Sequence, residues 1–88
     1  MRLLDVQIGE FANRIGERCK VTLKSYKGKQ RVDVRVHFED EDGEWQPTKK
    51  GLNISVDDLP TLRRLITEAE QKAVHAGVLD PADHTNNE

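Results

Sequence analysis

The chain has 88 residues, 35% hydrophobic and 34% charged, with 14 Lys and Arg against 16 Asp and Glu for a formal net charge of −2. A chain this short allows one small domain and buries only about 60% of the surface its unfolded form exposes, so oligomerisation is a natural source of further stability. Its single cysteine, Cys19, excludes an internal disulfide and a thiolate metal site, and no apolar run is long enough for a signal peptide or a membrane span; an intracellular, soluble protein is expected.

In chain order, Leu4, Val6 and Ile8 alternate and can supply an edge strand, with Gly9 and Gly16 marking breaks. From Cys19 to Tyr26 the apolar residues Cys19, Val21 and Leu23 oppose Lys20, Thr22, Lys24 and Tyr26. From Gln30 to Phe38, Val32, Val34, Val36 and Phe38 oppose Arg31, Asp33, Arg35 and His37. Period-two patterning rich in β-branched residues reads as two half-buried strands, and Gly28 between them supplies the positive φ of a tight hairpin. A two-residue loop, Lys27-Gly28, sets Leu23 against Val32 and Val21 against Val34, and also sets Lys24 against Arg31 and Lys20 against Arg35. Like charges directly opposite one another weaken a sheet, an arrangement that makes sense if an anion covers that face. A four-residue loop would instead set Lys24 against Asp33.

Residues 39–44, EDEDGE, form an acidic turn; counting back from Gly43 puts Phe38 first and Lys49 last, which rules out a calcium-binding EF-hand loop. Pro47 and Gly51 punctuate a third extended segment, in which Leu52, Ile54 and Val56 alternate with polar residues. Leu59, Leu62, Ile66, Ala69 and Ala73 then recur at helical spacing, with Ser55 or Asp57 as N-cap, Pro60 in the first turn and Gly77 as the stop. Residues 80–88 have no apolar face, and residues 78–88 read as a disordered tail.

The net charge conceals strong segregation. Residues 18–35 hold seven basic side chains and one acid, whereas residues 36–48 hold five acids and no Lys or Arg. Such blocks create local fields. None of His37, His75 and His84 has a cysteine or acid at a nucleophile or metal spacing, so no enzyme is expected and no cofactor is implied. Basic side chains on neighbouring strands with Tyr26 on the same face suit a groove for a single nucleic-acid strand, where cations track phosphates and an aromatic stacks on bases. The same basic face would also serve a protein-interaction module that docks an acidic protein partner.

Residues 15–55 closely resemble the transcriptional positive cofactor four family of single-stranded-DNA-binding coactivators, and the similarity extends to about residue 74. It is carried by the turn Tyr26-Lys27-Gly28-Lys29, the strand Val32-Asp33-Val34-Arg35, the acidic turn with Gly43-Glu44, and Pro47 followed by Lys49-Lys50-Gly51. The resemblance implies an α+β fold: a curved four-stranded antiparallel sheet followed by one C-terminal helix, paired as a homodimer through the helices. It implies a segment 1–14 outside the domain, a binding domain over residues 15–77, and single-stranded or unwound DNA as the ligand, with RNA polymerase or other transcription components as further partners. Carried over by position, Lys24, Tyr26, Lys27, Lys29, Arg35, Lys49 and Lys50 would contact backbone or bases, and Phe38 matches an aromatic stacking position. Strict alternation puts Phe38 opposite Arg35, so that role requires a bulge or the strand's end. Gln46 stands where family members can carry a lysine, and Trp45, without a counterpart among the stacking positions, is expected in core or dimer packing. The short form without a Ser- and Lys-rich extension looks like the bacterial or phage branch, giving a cytoplasmic, nucleoid-associated location there and a nuclear one in a eukaryote.

Overall fold

A computed structural model describes residues 2–81. Four strands, β1 (Val6–Ala12), β2 (Arg18–Tyr26), β3 (Lys29–Glu39) and β4 (Trp45–Ser55), form an antiparallel sheet in sequential order. A 3-10 turn over Val56–Asp58 and a helix α1 over Leu59–His75 follow, so the fold is α+β as expected. The described residues divide into two compact units, one ending at Asp57 and the other beginning at Asp58.

The two-residue loop is the one formed. Tyr26 pairs with Lys29, Leu23 with Val32, Val21 with Val34 and Cys19 with Val36, in an unbroken register. Lys27 at φ 51° and Gly28 at φ 79° make a turn with positive φ at both central residues, whose twist matches that of the strands it joins. One face of the sheet is therefore apolar. Val32, 3% exposed, is the buried centre of that face, flanked in register by Leu23 and Ile54.

Two irregularities shape the other face. In β1, Gly9 does not break the strand: Gln7 pairs with Thr22 and Gly9 with Val21, leaving Ile8 as an extra residue. This bulge shifts the alternation by one, bringing Glu10 against Lys20 and Phe11 against Cys19. In β4, three residues (Thr48, Lys49, Lys50) face the single Val36, because Arg35 pairs with Gly51 and His37 with Pro47. Thr48 holds this wide bulge together: its hydroxyl donates to the Val36 carbonyl at 2.7 Å and accepts the Lys50 N–H at 3.0 Å.

The acidic turn is organised by Asp40, whose carboxylate accepts the N–H groups of Asp42 and Glu44 at 2.9 Å each and the Gln46 amide at 3.0 Å. The Glu44 N–H, followed by the Gln46 amide, holds that carboxyl below its ordinary range. The helix start differs from expectation. Asp58 is the N-cap and makes no side-chain capping bond, while the Ser55 hydroxyl accepts the Asp57 N–H at 3.2 Å, because the 3-10 turn intervenes. At the other end Gly77, at φ 81°, closes the helix, and Val78 and Leu79 both donate to the Ala73 carbonyl. Residues 82–88 of the expected tail lie outside the described residues.

Candidate nucleic-acid interface

Opposite the valines, the sheet carries a groove of about 750 Å³ that crosses all four strands, lined among others by Gln7, Lys20, Lys24, Tyr26, Arg35 and Pro47. A smaller hollow of about 340 Å³, lined by Tyr26, Lys27, Lys29, Arg31 and Asn53, adjoins it. Tyr26 and Asn53 line both, so Tyr26, 63% exposed, stands between the two spaces. The Lys27 ammonium lies 5.3 Å from the Tyr26 ring centroid, a charged group placed beside an exposed aromatic face.

The like-charge pairs anticipated from the two-residue loop are present: Lys24 faces Arg31, and Lys20 faces Arg35. Carboxylates offset part of the repulsion. Glu10 binds the Arg18 guanidinium and lies 3.8 Å from the Lys20 ammonium. Asp33 accepts from Arg35 at 2.8 Å and from Asn53 at 3.2 Å. Asn53 in turn accepts the Arg31 Nε–H at 2.8 Å through its side chain and an Arg31 Nη2–H at 3.2 Å through its backbone carbonyl. Arg35, Asp33, Asn53 and Arg31 are thus one polar network that fixes the two guanidiniums. Their charges register in the neighbouring acids. Asp33 is held below its ordinary range by Arg35 first, with Asn53 and Lys24 contributing, and the Arg35 guanidinium is pushed up by the same bond. Glu10 is lowered chiefly by Arg18. Asp5 is lowered by the Ser25 N–H and then its hydroxyl, each 2.9 Å from the carboxylate.

No ion pair occupies Lys24, Lys27, Lys29, Arg31, Lys49 or Lys50 among the described residues. Lys49 and Lys50 are exposed in the β4 bulge facing Val36, beside Gly51, which pairs with Arg35. Gly51 is required there by close approach. A Cβ at this position would lie 2.3 Å from the Val34 carbonyl and 2.9 Å from Arg35 Cζ, so the bare backbone lets the Arg35 guanidinium cross toward the Thr48 carbonyl, 3.4 Å away.

Of the expected contact residues, the structure brings Lys24, Tyr26, Lys27, Lys29 and Arg35 together on this surface. Phe38 is not with them: register is continuous through His37, Phe38 and Glu39, which places Phe38 on the valine face across from Gln46, 43% exposed. Trp45 is the reverse case. Expected in core or dimer packing, it is not part of the core: it pairs with Glu39 on the basic face, half-buried, with the Arg18 guanidinium 4.8 Å from its ring centroid. The acidic turn had hidden it, since no alternating pattern surrounds Trp45. Arg31 was legible in the alternation with Arg35, and only its anchoring by Asn53 required the fold. Among the described residues no group of three or more His, Cys, Asp or Glu side chains is placed to hold a metal ion, and no helix is long and apolar enough to cross a membrane.

Residues 13–65 match the model of the family described as Transcriptional Coactivator p15 (PC4). The chain belongs to the PC4 family. The match begins directly after β1 and includes β2, β3 and β4 in full. Among solved structures, the PC4 homolog BPSL1147 from Burkholderia pseudomallei K96243, in its tetragonal crystal form, is 25% identical, with a TM-score of 0.68 over 76% of this chain and 98% of its own. The bacteriophage T5 homolog of the eukaryotic transcription coactivator PC4, implicated in recombination-dependent DNA replication, is also 25% identical, with a TM-score of 0.61 over 92% of this chain and 90% of its own. This PC4-family chain thus shares its fold with bacterial and phage relatives.

Proposed function

We propose that this protein is a non-catalytic, dimeric single-stranded-DNA-binding protein that acts on unwound DNA in transcription, recombination or repair. The observation that carries the reading is the basic groove across the sheet with Tyr26 at its rim, bordered by cations that form no ion pair among the described residues. Lys24, Lys27, Lys29, Lys49 and Lys50 would neutralise phosphates, Arg35 would face the strand from its bond to Asp33, and Tyr26 would stack on a base. Phe38 lies on the other face and would reach a base only where the strand passes around the end of β3. A groove that crosses the sheet in this way accepts the flexible backbone of a single strand, whose bases are free to turn onto an aromatic side chain.

The binding domain would span residues 15–77, with residues 1–14 as an added N-terminal segment. Leu65 and Ile66, 49% and 60% exposed on α1, supply an apolar helix surface for pairing with a second copy. RNA polymerase or another transcription component would be the protein partner. Location would follow the DNA: cytoplasmic and nucleoid-associated in a bacterium or a phage-infected cell, nuclear in a eukaryote.

Fluorescence anisotropy with labelled oligo-dT and a matched duplex, at two salt concentrations, tests the reading. Tighter binding to the single strand, weakened by salt and by Lys27→Ala/Lys29→Ala, is expected. Equal, weak binding to both ligands that is unchanged in the double variant would overturn it and leave the basic face as a protein-docking surface.

A further inference from the structure

The basic face carries a second planar assembly, at the end remote from Tyr26. Arg18 reaches from β2 across β3 to lay its guanidinium 4.8 Å from the Trp45 ring centroid on β4, while the same guanidinium is bound by Glu10 of β1. Three strands therefore cooperate to hold one indole and one guanidinium together on the surface that bears Lys20, Arg35 and His37. Pro47 and His37, two of the residues that line the groove, are paired with each other immediately beside Trp45.

We infer that Trp45 and Arg18 form a second nucleobase-stacking site, distinct from the one at Tyr26. The inference rests on the single-strand reading above and adds to it where the strand leaves the groove. An indole face and a guanidinium plane are the two protein surfaces on which unpaired bases stack most readily. The position supports a through-going path. Tyr26 faces Lys29 and Trp45 faces Glu39, the first and last residues of β3. Those ends are about 33 Å apart at 3.3 Å per residue, a span of about ten nucleotides at the spacing of a stacked strand and fewer for an extended one. A strand held at both ends would lie along the groove with its phosphates over Lys20, Lys24 and Arg35. Glu10 has a defined part in this arrangement: a phosphate arriving at Arg18 competes with that carboxylate, and its displacement leaves the guanidinium fixed on one side by the indole.

Trp45 is the only tryptophan in the sequence, so its fluorescence reports the site without interference. The full chain is titrated with oligo-dT while the anisotropy of a labelled strand and the tryptophan emission are followed together. Emission is expected to fall with the same midpoint as the anisotropy rise, and Trp45 to become shielded from acrylamide. Trp45→Ala is expected to weaken binding roughly fivefold to a hundredfold, with Trp45→Phe retaining most of the affinity. Binding by anisotropy with unchanged emission and unchanged acrylamide access would overturn the second site while leaving the single-strand reading intact, whether or not Trp45→Ala folds. Failure of oligo-dT to bind at all would overturn the single-strand reading itself, and the second site with it.

Discussion

The β2–β3 hairpin pairs nine residues of each strand without a slip, whereas the β3–β4 hairpin absorbs two extra residues in the middle of β4. The two hairpins share β3, so the difference lies in what each partner strand presents. Regular pairing with β2 fixes an array: valines on one face, Lys20, Thr22, Lys24 and Tyr26 on the other. The interruption in β4 re-aims residues. It lifts Lys49 and Lys50 into a bulge, sets Gly51 beneath Arg35, and leaves Trp45 on the basic face. A regular ladder spaces charges evenly, and a bulge gathers different groups at one place.

The largest expected effect of breaking this contrast comes from Gly51→Ala. Its Cβ would meet the Val34 carbonyl oxygen, a backbone atom that moves only if the pairing of β3 and β4 moves. A loss of roughly 1–3 kcal/mol in a urea titration is expected, together with weaker binding as Arg35 is displaced. Unchanged stability would mean that the β4 bulge is far softer than its Thr48 bonds imply.

The turn of the regular hairpin gives the next effect and separates stability from binding. Gly28→Ala places a Cβ at φ 79° and should cost about 1–2 kcal/mol. Lys27, at φ 51°, is a non-glycine residue in the left-handed region, where Asn is better accommodated. Lys27→Asn should therefore raise the melting temperature while lowering affinity for oligo-dT. Opposite signs in the two measurements would identify the lysine as kept for its charge; a variant less stable than the wild type would contradict that reading.

Smaller still is the effect of the acids opposed to β2. Glu10 lies in β1, outside the segment that matches the family, and competes for Arg18 and Lys20. Glu10→Gln should raise affinity for oligo-dT roughly two- to fivefold, the range of an exposed ion pair, as read by anisotropy at low salt. Asp33 gives a pH signature instead. Its carboxyl is held below the ordinary range by Arg35 and then Asn53, so it stays ionised in the folded protein after the unfolded chain has begun to take up protons. The stability this contributes is complete above the unfolded value of about 4 and is lost as pH falls through the lowered folded value. Urea midpoints should decline over that acidic window in the wild type and decline less in Asp33→Asn.

The same contrast explains what the sequence made legible. Alternation from Cys19 to Phe38 revealed the apolar and basic faces, and Gly28 marked the turn, whereas the choice between a two-residue and a four-residue loop waited on the pairing of β2 with β3. The valine-side placement of Phe38 follows from that regularity alone. Both bulges escaped notice, since each depends on which residues pair across strands and not on local pattern. Gly9 read as a break for that reason, and Trp45 read as a core or dimer-packing residue with no sign that Arg18, two strands away, covers it on the basic face. The anchoring of Arg31 by Asn53, and of Arg35 by Asp33, likewise depends on β3 and β4 meeting in register.

Salt dependence tests most directly whether phosphates are bound by the cations that form no ion pair among the described residues. With about five phosphate contacts per subunit, from Lys24, Lys27, Lys29, Lys49 and Lys50, the logarithm of the association constant for oligo-dT should fall against the logarithm of salt concentration with a slope near −3.5. Replacing Lys49 and Lys50 together by alanine should bring that slope to about −2.1, each lost contact removing about 0.7. A slope near zero, or one indifferent to the double replacement, would contradict phosphate binding by this face.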